Sequence, residues 1–323
     1  MKKFVSLMLA AAMAISVFAV SAFAQEKTSF KVAIVQQLDH ASLDEIRTAA
    51  EEKLVALAEE KGVELEVKDF NGQNDATVLN QIGAQVVDGG YDAVIPIATL
   101  AATCMATATE DTGIPVIYAA ISDPESSGLT GIENVTGTSD ALNTAFILDM
   151  MLAVQPEVKT VGLLYSRSEI NSEQPIAQAK QYLDEKGIAY VEKTGNTADE
   201  VLSAASELAG RCDAVFTPTD NTVMAVESAV AEILNEAGVP HYTGADSFVA
   251  CGAFATCGVN YTELGKYTAD MAFDILTGGA VGEYHVMDGG IITVNTDAAK
   301  AMNIDYSVFS TMANTVIEVT TAK

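Results

Sequence analysis

Tryptophan is absent from the 323-residue chain, histidine occurs three times, and 17 Lys and Arg face 44 Asp and Glu, for a formal net charge of −27 at pH 7. The shortage of positive charge excludes nucleic acid as a partner, because such a surface repels a phosphate backbone. Among His40, His241 and His285 no pair has metal-ligand spacing, and Cys104, Cys212, Cys251 and Cys257 form no zinc pattern, so neither a metal nor a cofactor is expected. Each cysteine sits among small or apolar residues, as a buried thiol would, and no pairing is assigned. The dinucleotide fingerprint, the P-loop and the Gly-x-Ser-x-Gly elbow are all missing, so nothing in the motifs marks an enzyme. Lack of Trp also weighs against a sugar ligand, whose rings usually stack on one.

A long apolar run occurs only at the start. "MKKFVSLMLAAAMAISVFAVSAFA" places Lys2 and Lys3 before an apolar stretch that ends in Ala22-Phe23-Ala24, the small-x-small pattern of a signal peptidase site. Residues 1–24 are expected to be a secretory signal, making the protein exported. No Cys follows the run, so lipid attachment at a new N-terminal cysteine is not expected.

From residue 31 onward, short apolar runs alternate with amphipathic stretches. "KVAIVQQ" reads as a buried strand; Ser42 and Glu45 read as a capping box for the helix that follows, and Gly62 as its C-terminal stop. Continued alternation predicts a parallel sheet with helices on both faces. The syntax then repeats. "EEKGVELEV" at 59–67 is answered by "DEKGIAYVE" at 184–192, "YDAVIPIAT" at 91–99 by "CDAVFTPTD" at 212–220, and "TGIPVIYAA" at 112–120 by "AGVPHYTGA" at 237–245. The near-constant offset predicts an α/β protein of two similar, doubly wound parallel-sheet lobes with a ligand cleft between them.

In such a sheet the residues just past each strand's carboxyl end face the crevice. Here they are Gln36, Gln37 and Asp39; Ala98 and Thr99; Ser122 and Asp123; Tyr165, Ser166 and Arg167; Thr219, Asp220 and Asn221; and Asp246 and Ser247. Several carboxylates, many hydroxyls and amides and one Arg suit a small polar ligand with a cationic group. A zwitterionic amino acid fits, its ammonium met by Asp123, Asp220 or Asp246 and its carboxylate by helix N-termini opened by Thr99, Ser166 or Asn221. Each of these aspartates reads equally as a helix cap or an Asx turn. For Asp123, ahead of Pro124 in "IYAAISDPESSGL", ammonium binding and turn formation stay open together.

These segments, in order, resemble the substrate-binding proteins of ABC importers, in the family that includes the tryptophan and tyrosine uptake proteins. "VQQLDHASLDEIR", "AAISDPESSGL", "ENVTGTSD", "TPTDNTVMAV", "FATCGVNYTELGKYTADMAFDILTGG" and "ITVNTDAAKAMNI" carry the resemblance over residues 31–305. It implies lobe 1 over 25–138, lobe 2 over 139–258, a return to lobe 1 over 259–280, and completion of lobe 2 with a C-terminal tail over 281–323, joined by hinge crossovers. It also implies a monomer that closes on an aromatic amino acid and docks on membrane permease subunits. Ligand contacts are then expected at Asp39, His40, Ala98, Thr99, Ser122, Asp123, Ser166, Asp220 and Asp246. A branched-chain amino acid or nucleoside-like ligand, or service as an exported sensor domain, are the alternatives on the same fold.

Overall fold

A computed structural model describes residues 27–322; the expected secretory signal lies outside them. In the first half, strands β1 (Ser29–Gln36), β2 (Glu64–Asn71), β3 (Ala93–Ile97), β4 (Val116–Tyr118) and β5 (Val135–Ser139) alternate with helices α1 (Ala41–Lys61), α2 (Ala76–Asp88) and α3 (Thr99–Thr109). The second half repeats the pattern with α4 (Thr144–Val154), β6 (Thr160–Tyr165), α5 (Ile170–Lys186), β7 (Ala189–Thr194), α6 (Ala198–Ala209), β8 (Ala214–Thr217), α7 (Asn221–Met224), α8 (Glu227–Glu236), β9 (His241–Thr243), α9 (Asp246–Ala250) and β10 (Ala255–Gly258). After it come α10 (Tyr261–Leu276), β11 (His285–Val286), β12 (Ile291–Asn295), α11 (Thr296–Met302), α12 (Phe309–Met312) and β13 (Thr315–Val319).

Two sheets result, ordered β2-β1-β3-β4-β5-β11 and β7-β6-β8-β9-β10-β12-β13. Their shared order is the internal repeat made structural, and the repeated residues do the same work in both halves. Gly62 and Gly187 end α1 and α5 in the left-handed conformation, at φ 67° each. Asp92 accepts from the Lys31 amide at the start of β1, and Asp213 from the Lys159 and Thr160 amides at the start of β6. The Pro115 and Pro240 carbonyls receive the Val94 and Val215 amides.

The second sheet departs from the all-parallel expectation, since β12 runs antiparallel to β10 and carries β13 parallel to itself. A two-residue reversal is not needed here, because the chain reaches β12 after leaving the first sheet at β11. Three crossovers join the lobes, at 140–143, 259–260 and 287–290. They are tied together: Met287 N–H donates to the Ser139 carbonyl at 2.9 Å, and Tyr261 Oη to Asp140 Oδ2 at 3.0 Å. Because β11 pairs with β5, the chain stays with the first sheet as far as Val286 and not only to 280.

The second crossover delivers α10 against α1. Their contact is close because Gly265 lacks a side chain: a Cβ there would stand 2.5 Å from the Ile46 carbonyl oxygen and 3.0 Å from Ala49 Cβ. This packing holds the start of α1 and the start of α10 side by side at the cleft. Gly265→Ala is therefore expected to cost about 1–3 kcal/mol through overpacking, read as a lowered urea midpoint with an unchanged slope.

Candidate ligand-binding site

Between the lobes lies a small, partly enclosed cavity lined by His40, Ser42, Leu43, Ala98, Thr99, Ala120, Ser122, Asp140, Asn171, Thr219, Asp220, Asn221, Met224, Ala245, Ser247, Phe248 and Tyr261. Its volume is about 30 Å³, room for one or two water molecules. The space as it stands is smaller than an amino acid.

Two alanines that floor the cavity sit in backbone conformations usually left to glycine. Ala98 follows β3 with φ 73° and ψ 164°, and Ala120 follows β4 with φ 58°. Such positions cost roughly 1–3 kcal/mol each and persist where the surroundings over-determine them. Here the strand ends are held by hydrogen bonds on both sides, Ala98 N–H to the Ala119 carbonyl and Ala119 N–H to the Pro96 carbonyl.

Acidic groups dominate the polar lining. Asp140, 4 % exposed, accepts from Ser122 Oγ at 2.9 Å on one oxygen and from Tyr261 Oη on the other. Since Ser122 spends its proton on Asp140, Thr219 Oγ1, 2.9 Å away in the other lobe, donates to Ser122. Burial pushes the Asp140 carboxyl above its usual range, and the Tyr261 phenol well above its own, with Asp140 adding to the latter. Asp220 is fully buried and accepts three bonds, from Ser166 N–H, Ser172 Oγ and Val223 N–H; burial raises its pKa too. Among the described residues no Lys or Arg forms an ion pair with Asp140, Asp220, Asp246 or Glu169.

The lobes are clasped by a side-chain relay. Leu100 N–H donates to Gln37 Oε1 at 2.9 Å, which leaves Gln37 Nε2 facing Glu169 Oε1 of the other lobe at 3.4 Å. Glu169 Oε2 accepts from Asn221 Nδ2 at 2.7 Å, and Asn221 Oδ1 returns to the first lobe at His40 Nε2, 3.1 Å away. Burial, then the charge of Asp220, pushes Glu169 up to about 7. Burial likewise lifts Asp246 to about 6, with Glu45 adding to it.

Of the residues expected at the site, His40, Ala98, Thr99, Ser122 and Asp220 line the cavity; the other four do not. Asp39 is exposed, because β1 has ended and the chain turns outward before α1. Asp123 is buried but faces its own turn, its Oδ1 accepting from Ser126 N–H at 3.0 Å, so its role here is to shape the Asp123-Pro124 turn. Ser166 turns away to Ser168 and Asn196, and Asp246 is flanked by the lining residues Ala245 and Ser247. Asp140 was missed because "ENVTGTSD" reads as a crossover, whereas it forms β5 and puts Asp140 just past that strand's carboxyl end; Tyr261 was missed because it opens α10, which no strand-end rule reaches. The capping box at Ser42 does not form: His40 occupies the cap position without a side-chain bond, and Ser42 is buried at the cavity.

The four cysteines are free thiols, and three of them are buried.

Two outcomes test the clasp. Glu169→Ala removes its centre without touching the cavity lining, and small-angle scattering is expected to show a larger radius of gyration for the ligand-free protein. Glu169 has a folded pKa above its unfolded value, so its contribution is fully present below about pH 4.5 and is lost as pH rises through about 7. In chemical denaturation Glu169→Gln is expected to match wild type near pH 4.5 and exceed it by about 3 kcal/mol at pH 8.

The pattern of the family described as ABC transporter substrate binding protein matches residues 31–316. A tyrosine-binding protein from Clostridioides difficile (strain R20291) is 31% identical over 285 residues, 86% of this chain and 82% of that one. An ABC domain from Streptococcus pneumoniae in complex with L-Trp superposes with TM-score 0.82 at 29% identity, covering 90% of this chain and 100% of that one. The ligand-free, open structure of a substrate-binding protein with adhesive properties from Clostridium difficile is 31% identical and covers 91% of this chain and 100% of that one, yet its TM-score is 0.69. The lobe arrangement thus sits nearer the L-Trp complex than the open form, as the clasp across the cleft requires. With the family pattern over most of its length and this two-lobed architecture, the chain belongs to the ABC transporter substrate-binding proteins, which bind rather than transform their ligands.

Proposed function

We propose that the protein is exported, captures an aromatic amino acid by lobe closure, and hands it as a monomer to membrane permease subunits of an ABC importer. The observation that carries the reading is a set of desolvated carboxylates at the cleft with no basic partner among the described residues. A ligand ammonium would supply the missing positive charge. Asp140 is the receptor of choice: it lines the cavity, and each of its oxygens accepts one bond and keeps a lone pair free, whereas Asp220 is committed to three donors of its own lobe. Leu43, Met224, Phe248 and the ring of Tyr261 supply apolar walls for a side chain. The tyrosine-binding relative and the L-Trp complex of a similar structure support the aromatic class.

The experiment is calorimetry and thermal melting of residues 25–323 against amino acids, nucleosides and sugars. Aromatic amino acids at a hundred times Kd are expected to stabilise the fold by about 2.7 kcal/mol. Asp140→Asn is expected to weaken binding roughly 100-fold, and deaminated analogues of the ligand should bind no better to wild type than to the variant. A shift with nucleosides or sugars and none with aromatic amino acids would overturn the reading.

A further inference from the structure

Buried polar atoms without a partner are few in a native structure, and His40 Nδ1 and Ser42 Oγ are two of them, on residues that line the cavity. Ser42 is 3 % exposed, and the two residues lie at the cap and the second position of the same helix, α1.

The clasp determines what His40 offers. Leu100 N–H can only donate, so Gln37 presents its carbonyl oxygen there and its NH₂ to Glu169. At pH 8, above the value of about 7 to which burial lifts it, Glu169 is ionised and can only accept, so Asn221 turns its NH₂ toward it and its oxygen toward His40. An amide oxygen can only accept, so the proton of His40 sits on Nε2. Burial lowers the pKa of His40, which keeps the ring neutral. Nδ1 is then a bare lone pair, an acceptor only, and the hydroxyl of Ser42, two positions on in the same cavity lining, can donate or accept.

A ligand ammonium is drawn to the unpaired carboxylates in preference to a neutral ring. What remains for His40 and Ser42 is a neutral group able to donate. We infer that His40 Nδ1 and Ser42 Oγ read the polar group on the ligand's side chain: a phenol hydroxyl donates to His40 and accepts from Ser42, an indole N–H satisfies His40 alone, and a phenyl ring satisfies neither. Glu169 and Asn221 act as positioning residues that hold the tautomer. The inference rests on the amino-acid reading above and deepens it into an order of preference, tyrosine first, tryptophan next, phenylalanine last.

A site built to hydrogen-bond a ligand O–H or N–H strongly rejects the analogue without it, because its own polar groups stay unpaired. Calorimetry at pH 8 with L-Tyr, L-Trp and L-Phe is expected to give at least a 100-fold preference for L-Tyr over L-Phe in wild type. Ser42→Ala should weaken L-Tyr about tenfold and leave L-Trp and L-Phe unmoved; His40→Leu should bring L-Tyr and L-Trp down to the level of L-Phe. Nitrogen-15 NMR of the histidine rings should show the Nε2–H tautomer for His40, with the Nδ1 resonance moving when L-Tyr binds. Equal binding of all three amino acids overturns this inference while keeping the aromatic reading. Equal losses for all three in Ser42→Ala overturn it as well, by placing Ser42 on the ligand's main-chain groups. Binding of none overturns both readings.

Discussion

The cleft between the lobes holds acidic groups out of water with no Lys or Arg paired to them among the described residues. Asp140, Glu169 and Asp220 are each 5 % exposed or less, in a chain whose net charge is −27. Isolated buried charge is expensive, and the usual remedies are an ion pair, dense hydrogen bonding or neutralisation. Asp220 takes the second course and Glu169 leans toward the third. Asp140 has hydroxyls but, among the described residues, no basic partner; on the proposed reading the ligand's ammonium supplies the positive charge. The closed arrangement exists because neutral bonds, Gln37 to Glu169, His40 to Asn221 and Thr219 to Ser122, offset part of that cost.

The local architecture of each lobe was legible in the sequence because it rests on short-range rules that the chain states twice. Gly62 and Gly187 stop helices, Asp92 and Asp213 pin strand starts, and Pro115 and Pro240 serve the same ladder position. The antiparallel β12 escaped that reading because its direction is set by where the chain re-enters the second sheet, a long-range fact.

The cavity was legible only in part, for two physical reasons. Strand-end rules find residues such as Ala98, Thr99, Ser122 and Asp220, which the doubly wound sheet itself aims at the crevice. They would have reached Asp140, the first residue past β5, had "ENVTGTSD" been read as a strand and not as a crossover; they are blind to Tyr261, which opens α10 121 positions further on and meets Asp140 through one hydrogen bond. They also cannot tell a side chain facing the cleft from one serving its own backbone, which is why Asp123 and Ser166 read like Ser122 and Asp220. Ser42 shows the opposite confusion, since Ser-x-x-Glu ahead of an apolar run is a capping signature. With the cap residue two positions earlier, the hydroxyl is left over and turns to the cavity.

The geometry makes recognition and closure parts of one network rather than separate devices. The relay that joins the lobes begins at a backbone N–H on α3, passes through two amides and a carboxylate, and ends on the His40 ring at the cavity. On the proposed closure mechanism, parting the lobes takes Asn221 away from His40 and leaves the ring free to take either tautomer. His40 therefore has a defined acceptor only in the closed state. A ligand that uses Nδ1 gains that bond only after closure, so its differential affinity for the closed form grows with the quality of its donor. Selectivity of this kind follows from population shift, since a ligand can move a two-state equilibrium only by as much as it prefers one state.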